Sequence, residues 1–174
     1  MKKEPLFIRF LNGETNTVGV INSFIELSED RNSKEIAKKS LDNVPDLSLF
    51  KRDFANCVED IIDNGISRNV INYVDSYLKP SLIEITASGN YSRTNDKRWV
   101  TLKSESAPWI EALICYNLGL YIKAYGLLEL KKCPVCNKFF SHKGRYAKYC
   151  SDTCKGSGNV VKDNRFTPDI KALV

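Results

Sequence analysis

Apolar positions along this chain fall into blocks whose spacing changes from one block to the next. Leu6, Phe7, Ile8, Phe10 and Leu11 form a compact run that stops at Asn12-Gly13, a turn dipeptide, so the chain is expected to open with a strand or a single tight element. Val18, Ile21, Phe24 and Ile25 recur at helical spacing and predict a helix ending near Leu27. The stretch from Ser28 to Pro45 is polar, with one or two helical turns around Lys34 to Leu41, and reads as a surface connection. Phe50, Phe54, Cys57, Val58, Ile61 and Ile62 line one face of a longer helix that Asn64-Gly65 stops. Ser67 can cap the next helix, whose stripe is Val70, Ile71, Val74 and Leu78 and which Pro80 ends. Leu82 to Ala87 and Trp99 to Leu102 are β-rich runs flanking a polar tip, Ser88 to Lys97, and predict an antiparallel hairpin. Pro108 opens the most apolar helix, carrying Trp109, Ile110, Leu113, Ile114, Leu118, Tyr121 and Ile122, around which the rest should pack.

Beyond about Leu128 the pattern changes character, and cysteine takes over. Cys133-Pro134-Val135-Cys136 is a pair spaced so that one tight turn can aim two sulfurs at a common metal. Cys150-Ser151-Asp152-Thr153-Cys154 supplies a second pair, and Ser151 or Asp152 can cap a helix that places those sulfurs at its positive end. This order of turn, hairpin and helix resembles a treble-clef zinc finger. The competing reading is a redox dithiol or disulfides, but the βαβ context of a thioredoxin-like Cys-x-x-Cys is missing. Four thiolates close a tetrahedral shell, so one structural Zn2+ is expected on Cys133, Cys136, Cys150 and Cys154. The fold class expected is therefore α+β: a mainly helical body with one antiparallel β-hairpin (residues 1–130) and a C-terminal treble-clef zinc-binding module with a basic tail (131–174). The short connection from Leu127 to Lys132 should hold the module against the body, Gly156-Ser157-Gly158 should interrupt its last segment, and the tail after Pro168 should fray.

Charge sharpens that division. Residues 131–174 hold ten Lys or Arg against three Asp, a net of +7, which leaves −2 for the rest of a chain whose total is +5. A near-neutral body with a basic end fits a nucleic-acid contact, although a solvated surface has the same composition. Lys143, Arg145, Lys148, Lys155 and Lys162 are the candidate DNA-binding residues, interleaved with Phe139, Phe140, Tyr146 and Tyr149. Phe139 or Phe140 should also form the small core of the module.

The remaining chemistry is sparse. His142 is the single histidine, so the first 130 residues cannot build a Ser/His/Asp triad, a Cys/His dyad or a His-rich metal site. With four cysteines at hand, His142 is read as a loop residue facing solvent or phosphate in preference to a fourth ligand. Glu59, Asp60 and Asp63 fall on the solvent face of their helix, Cys57 and Cys115 on apolar faces, and no glycine-rich phosphate loop occurs. No enzymatic role is expected. The uncharged run between Glu111 and Lys123 is 11 residues, far short of a membrane span, and Arg9 interrupts the first apolar run, so neither a membrane anchor nor a secretion signal is read. A cytoplasmic setting, in which clustered thiols stay reduced, follows as the expectation.

The Cys133/Cys136 pair, Phe139-Phe140, the basic stretch Lys143 to Lys148, Tyr149-Cys150-Ser151 and Gly158-Asn159-Val160-Val161-Lys162 together resemble the CGNR zinc-finger proteins. Phe10-Leu11-Asn12 is similar to the early Phe-x-Asn pattern of that family's helical N-terminal (ABATE) domain. In the family the last Cys directly precedes Gly-Asn-Arg; here Lys155-Gly156-Ser157 intervene and Val160 stands at the Arg. The resemblance implies a bacterial transcription regulator that binds DNA, with a body that dimerises or senses a small-molecule effector. The alternative from another class is a zinc-stapled protein–protein interaction module that does not bind nucleic acid.

Overall fold

The computed structural model describes residues 4–28, 30–81, 84–86, 99–101, 108–142 and 147–163. Six helices, α1 (Leu6–Leu11), α2 (Thr17–Leu27), α3 (Arg31–Lys39), α4 (Ser48–Asn64), α5 (Arg68–Ser81) and α6 (Trp109–Tyr125), make up most of the body. Strands β1 (Glu84–Thr86) and β2 (Trp99–Thr101) pair antiparallel between α5 and α6, with Ile85 opposite Val100. The tip expected at Ser88 to Lys97 lies outside the described residues. A 3-10 turn (Leu127–Glu129) then leads into a second antiparallel hairpin, β3 (Leu130–Lys132) and β4 (Phe139–Ser141), and the described chain closes with α7 (Asp152–Asp163). The α+β class is as expected: a helical body with a hairpin, followed by a cysteine-bearing hairpin and helix.

Helix α6 is the axis of the core. Trp109, Ile110, Leu113, Ile114, Leu118 and Tyr121 are all buried, and α5, α2 and α1 pack along it. Apolar residues around most of its circumference leave little for water to contact, which is what a central helix requires. Aromatic rings tie the layers together: Phe7 meets Phe54 edge-on at 6.5 Å and Tyr121 at 5.4 Å, and Phe24 lies 5.4 Å from Trp109. The end of α4 and the start of α5 are also as the sequence implies. Gly65 takes φ 79 and ψ −162, a conformation that a Cβ would strain, and the Ser67 hydroxyl accepts the Val70 N–H at 3.3 Å to cap α5.

Three segments are not fixed by the hydrophobic pattern. Of the two expected forms, a strand or a single tight element, Leu6–Leu11 takes the second, a six-residue helix, because Phe7, Ile8, Phe10 and Leu11 all find apolar neighbours when wound into α1, while the Phe7 N–H donates to Asn117 Oδ1 at 3.3 Å. A continuous apolar run has no period to separate the two forms, so tertiary contacts decide. The polar connection after Ser28 contains the full helix α3, capped by Asp30, whose carboxylate accepts the Ser33 N–H at 2.7 Å and its hydroxyl at 2.6 Å. Only Ile36 and Ala37 are apolar and buried on α3, too few to register as a stripe. Finally, α7 runs through Gly156 and Gly158, where an interruption was expected.

Candidate metal centre

The cysteine hairpin is seated on the body through both of its strands. Leu130 and Phe139 belong to the same buried cluster as α1, α4 and α6, whereas Phe140, on the other face of β4, is buried outside that cluster. The Cys133 N–H donates to the Lys138 carbonyl at 2.8 Å and the His142 N–H to the Glu129 carbonyl at 3.0 Å, so Phe139 and Ser141 sit at the non-hydrogen-bonded positions of the ladder. Their main-chain groups face away from β3 and need other partners. The Asn12 side chain supplies them at Phe139, its amide donating to the carbonyl at 2.8 Å and its oxygen accepting the N–H at 2.9 Å. Glu4 accepts a main-chain hydrogen bond from Ser141, and the Tyr121 hydroxyl donates to Ser141 Oγ at 2.7 Å. Burial raises the Glu4 carboxyl above the usual range, that hydrogen bond lowers it, and nearby Glu14 raises it. Lys132 Nζ reaches Glu59 at 2.6 Å and lies 5.6 Å from the Phe139 ring centre. Glu59 is thus a half-buried tether for the hairpin, not the solvent carboxylate expected from its helix face, and Asp60 accepts from Asn64 and Ser67.

The hairpin turn carries the first cysteine pair. Asn137 N–H donates to the Cys133 carbonyl at 2.9 Å, and Asn137 itself sits at φ 58, a left-handed conformation that asparagine tolerates better than most residues. The second pair straddles the start of α7. Ser151, not Asp152, is the cap: its hydroxyl accepts the Cys154 N–H at 3.2 Å, and its carbonyl accepts the first helical hydrogen bond from Lys155. Cys150 therefore lies just before the helix and Cys154 in its first turn. The Tyr149 ring lies against α7 at Gly158, where a Cβ would come within 2.6 Å of the ring. Glycine at 158 is what lets that ring approach.

These elements bring together the sulfurs of Cys133, Cys136, Cys150 and Cys154, all within 4.8 Å of one another. Cys136 and Cys150 are 3.4 Å apart and Cys150 and Cys154 3.6 Å, close to the ~3.8 Å edge of a tetrahedron of sulfurs about 2.3 Å from one ion. All six cysteines are free thiols, and these separations are too long for a disulfide. Burial acts against the Cys133 thiolate, but N–H groups of Cys136, Cys150 and Val135 and the Cys136 thiol overcome it, holding Cys133 down at about 6. Cys150 is pushed up to about 12 by burial and by the crowding of the Cys136, Cys154 and Cys133 sulfurs. Four negative sulfurs this close need a cation to coexist. The donor set therefore fits a metal ion.

Around the cluster, Lys148 and Lys155 are exposed, and the Lys148 ammonium lies 5.9 Å from the Tyr149 ring centre. Lys162 falls on α7, whereas Lys143 and Arg145, like the tail after Pro168, lie outside the described residues. His142 is exposed just past the end of β4 and is not one of the four grouped side chains. Cys57 and Cys115 are buried in the body; burial, with the nearby Asp60 charge, pushes the Cys57 thiol up to about 11, and burial also raises Cys115. Among the described residues no helix is long and apolar enough to cross a membrane. Asn12, Glu4 and Glu59 are the contributors that sequence reasoning missed. Only Asn12 belongs to a recognisable motif, Phe10-Leu11-Asn12, and nothing in that motif places it against a strand edge. Compared with known proteins, the chain matches no family model, no curated protein and no solved structure.

Proposed function

We propose that this chain is a zinc-containing DNA-binding protein, a bacterial transcription regulator in which the ion is structural. Zinc is the metal best suited to four thiolates in a closed tetrahedron, since it has no redox chemistry and no geometric demand beyond that shell. The main support is where the cluster sits: within the segment of net charge +7, with Lys148 and Lys155 exposed on either side of the second cysteine pair. An ion held by Cys133, Cys136, Cys150 and Cys154 ties α7 to a hairpin that is itself anchored on the body. Lys148 and Lys155 then have a fixed frame from which to meet phosphates, and Lys143, Arg145 and Lys162 complete the proposed DNA-binding set. The resemblance to the CGNR proteins points the same way. The body would supply dimerisation or effector sensing.

The test is a triple variant, Lys143→Ala, Arg145→Ala and Lys148→Ala, in metal-loaded protein. DNA affinity should fall, and the salt dependence should flatten by roughly 0.9 for each phosphate no longer neutralised, while metal content stays at one ion. Unchanged affinity and slope would rule out DNA binding through these residues. Capture of one acidic protein partner, with no DNA shift even at low salt, would instead establish the zinc-stapled protein–protein interaction module.

A further inference from the structure

The four sulfurs are not equivalent. Cys133 is fully buried beneath the hairpin turn, Cys150 and Cys154 are half-buried, and Cys136 is exposed. The Cys136 sulfur is also only 3.4 Å from that of Cys150. A small oxidant arriving from solvent therefore meets Cys136 first, and Cys150 stands ready to resolve the product. We propose that Cys136 and Cys150 form an oxidation site, at which a hydroperoxide converts the metal-holding pair into a disulfide and releases the ion. The inference rests on the four sulfurs holding a metal, and is independent of whether the protein binds DNA.

The chemistry balances with one peroxide. The Cys136 thiolate attacks one peroxide oxygen, the O–O bond breaks, hydroxide leaves and Cys136 becomes a sulfenic acid. The Cys150 thiolate then attacks the Cys136 sulfur, the S–O bond breaks, and a second hydroxide departs as the S–S bond forms. Two electrons have passed from the sulfur pair to peroxide, and the two hydroxides are neutralised by protons from the buffer. Cys133 and Cys154 are left as two donors, too few for a closed structural shell. The new bond closes the 3.4 Å gap between the two sulfurs and links the hairpin turn to the start of α7. Reduction by a dithiol reverses the step and restores the four donors.

The experiment uses full-length protein whose zinc content is measured first, then treated with hydrogen peroxide while a chromogenic chelator reports released zinc. Release should approach one ion per peroxide consumed. Tryptic peptides 133–138 and 149–155 should become cross-linked, with fragmentation placing the bond between Cys136 and Cys150. A Cys136→His variant keeps four donors but removes the exposed thiolate, and should release zinc at least about tenfold more slowly. A disulfide between Cys150 and Cys154, irreversible oxidation without cross-linking, or wild-type release from Cys136→His would each overturn the proposal while leaving the metal centre standing. Untreated protein without metal would overturn both.

Discussion

Replacing Asn12 by Ala should cost about 2–4 kcal/mol of stability, a large loss for one polar side chain at a helix end. The figure follows from what Asn12 does at the outer edge of β4. Two hydrogen bonds, of 2.8 and 2.9 Å, would disappear, each contributing about 1 kcal/mol net. The Phe139 N–H and carbonyl would then lie against a cluster in which Phe139 is only 6% exposed, and each group left without a partner costs about 1–3 kcal/mol unless water reaches it. Water access sets where in the range the result falls. Packing is a smaller part, so the isosteric Asn12→Asp separates the two causes. At neutral pH it keeps the shape but turns a carboxylate oxygen toward the Phe139 carbonyl, and it should lose about as much as Ala. Denaturant unfolding of the metal-loaded protein measures both losses, and amide exchange at Phe139 should quicken in each variant. An Asn12→Ala variant within ~0.5 kcal/mol of wild type, or a neutral Asn12→Asp, would show that the edge of β4 is not held by this side chain.

Gly65→Ala should cost about 1–3 kcal/mol, read by thermal or denaturant unfolding, because φ 79 with ψ −162 is a region essentially reserved for glycine. Glu111→Gln should stabilise the protein at pH 7. Burial raises the native pKa of Glu111, so the charged form is penalised above that value, and the advantage of Gln should shrink as pH falls toward the unfolded pKa of about 4.3. Unfolding midpoints at pH 7 and pH 4 give the comparison, and a gap that widens on acidification would reverse the sign. Gly158→Ala should weaken metal binding by crowding Tyr149, at a cost of about 1–3 kcal/mol. In a Tyr149→Ala background the same change should become favourable by up to about 1 kcal/mol, as Ala replaces Gly within a helix. Metal competition titrations of the four proteins test that reversal.

Much of the body was legible because its long helices carry clear stripes: α4, α5 and α6 lie close to where Phe50, Val70 and Trp109 begin their periodic runs. Cysteine spacing was equally informative, since two close pairs within a short segment have few uses in one fold, and the four sulfurs do converge. What could not be read was set by partners distant in sequence. The run Leu6–Leu11 is helical because of what surrounds it, and α3 commits only Ile36 and Ala37 as apolar residues to the core, with Trp109 Nε1 donating to Ser40 at its end across 69 positions. Asn12 and Phe139 are separated by 127 positions, and neither residue type announces a strand-edge pairing. Glu59 looked like a surface carboxylate because helical periodicity describes its own helix only; Lys132, 73 positions away, makes it a tether.

The metal site admits the most decisive titration. Purified under reducing conditions and titrated with cobalt(II) as a spectroscopic stand-in for zinc, the chain should bind one ion. Thiolate-to-cobalt charge-transfer absorption should have the intensity of four sulfur ligands, and zinc should displace the cobalt stoichiometrically. Serine at any one of Cys133, Cys136, Cys150 or Cys154 should reduce that absorption, whereas serine at Cys57 or Cys115 should leave it intact. A chain that binds no ion and keeps α7 folded against the hairpin, or one whose spectrum needs fewer than four sulfurs, would refute the four-thiolate centre.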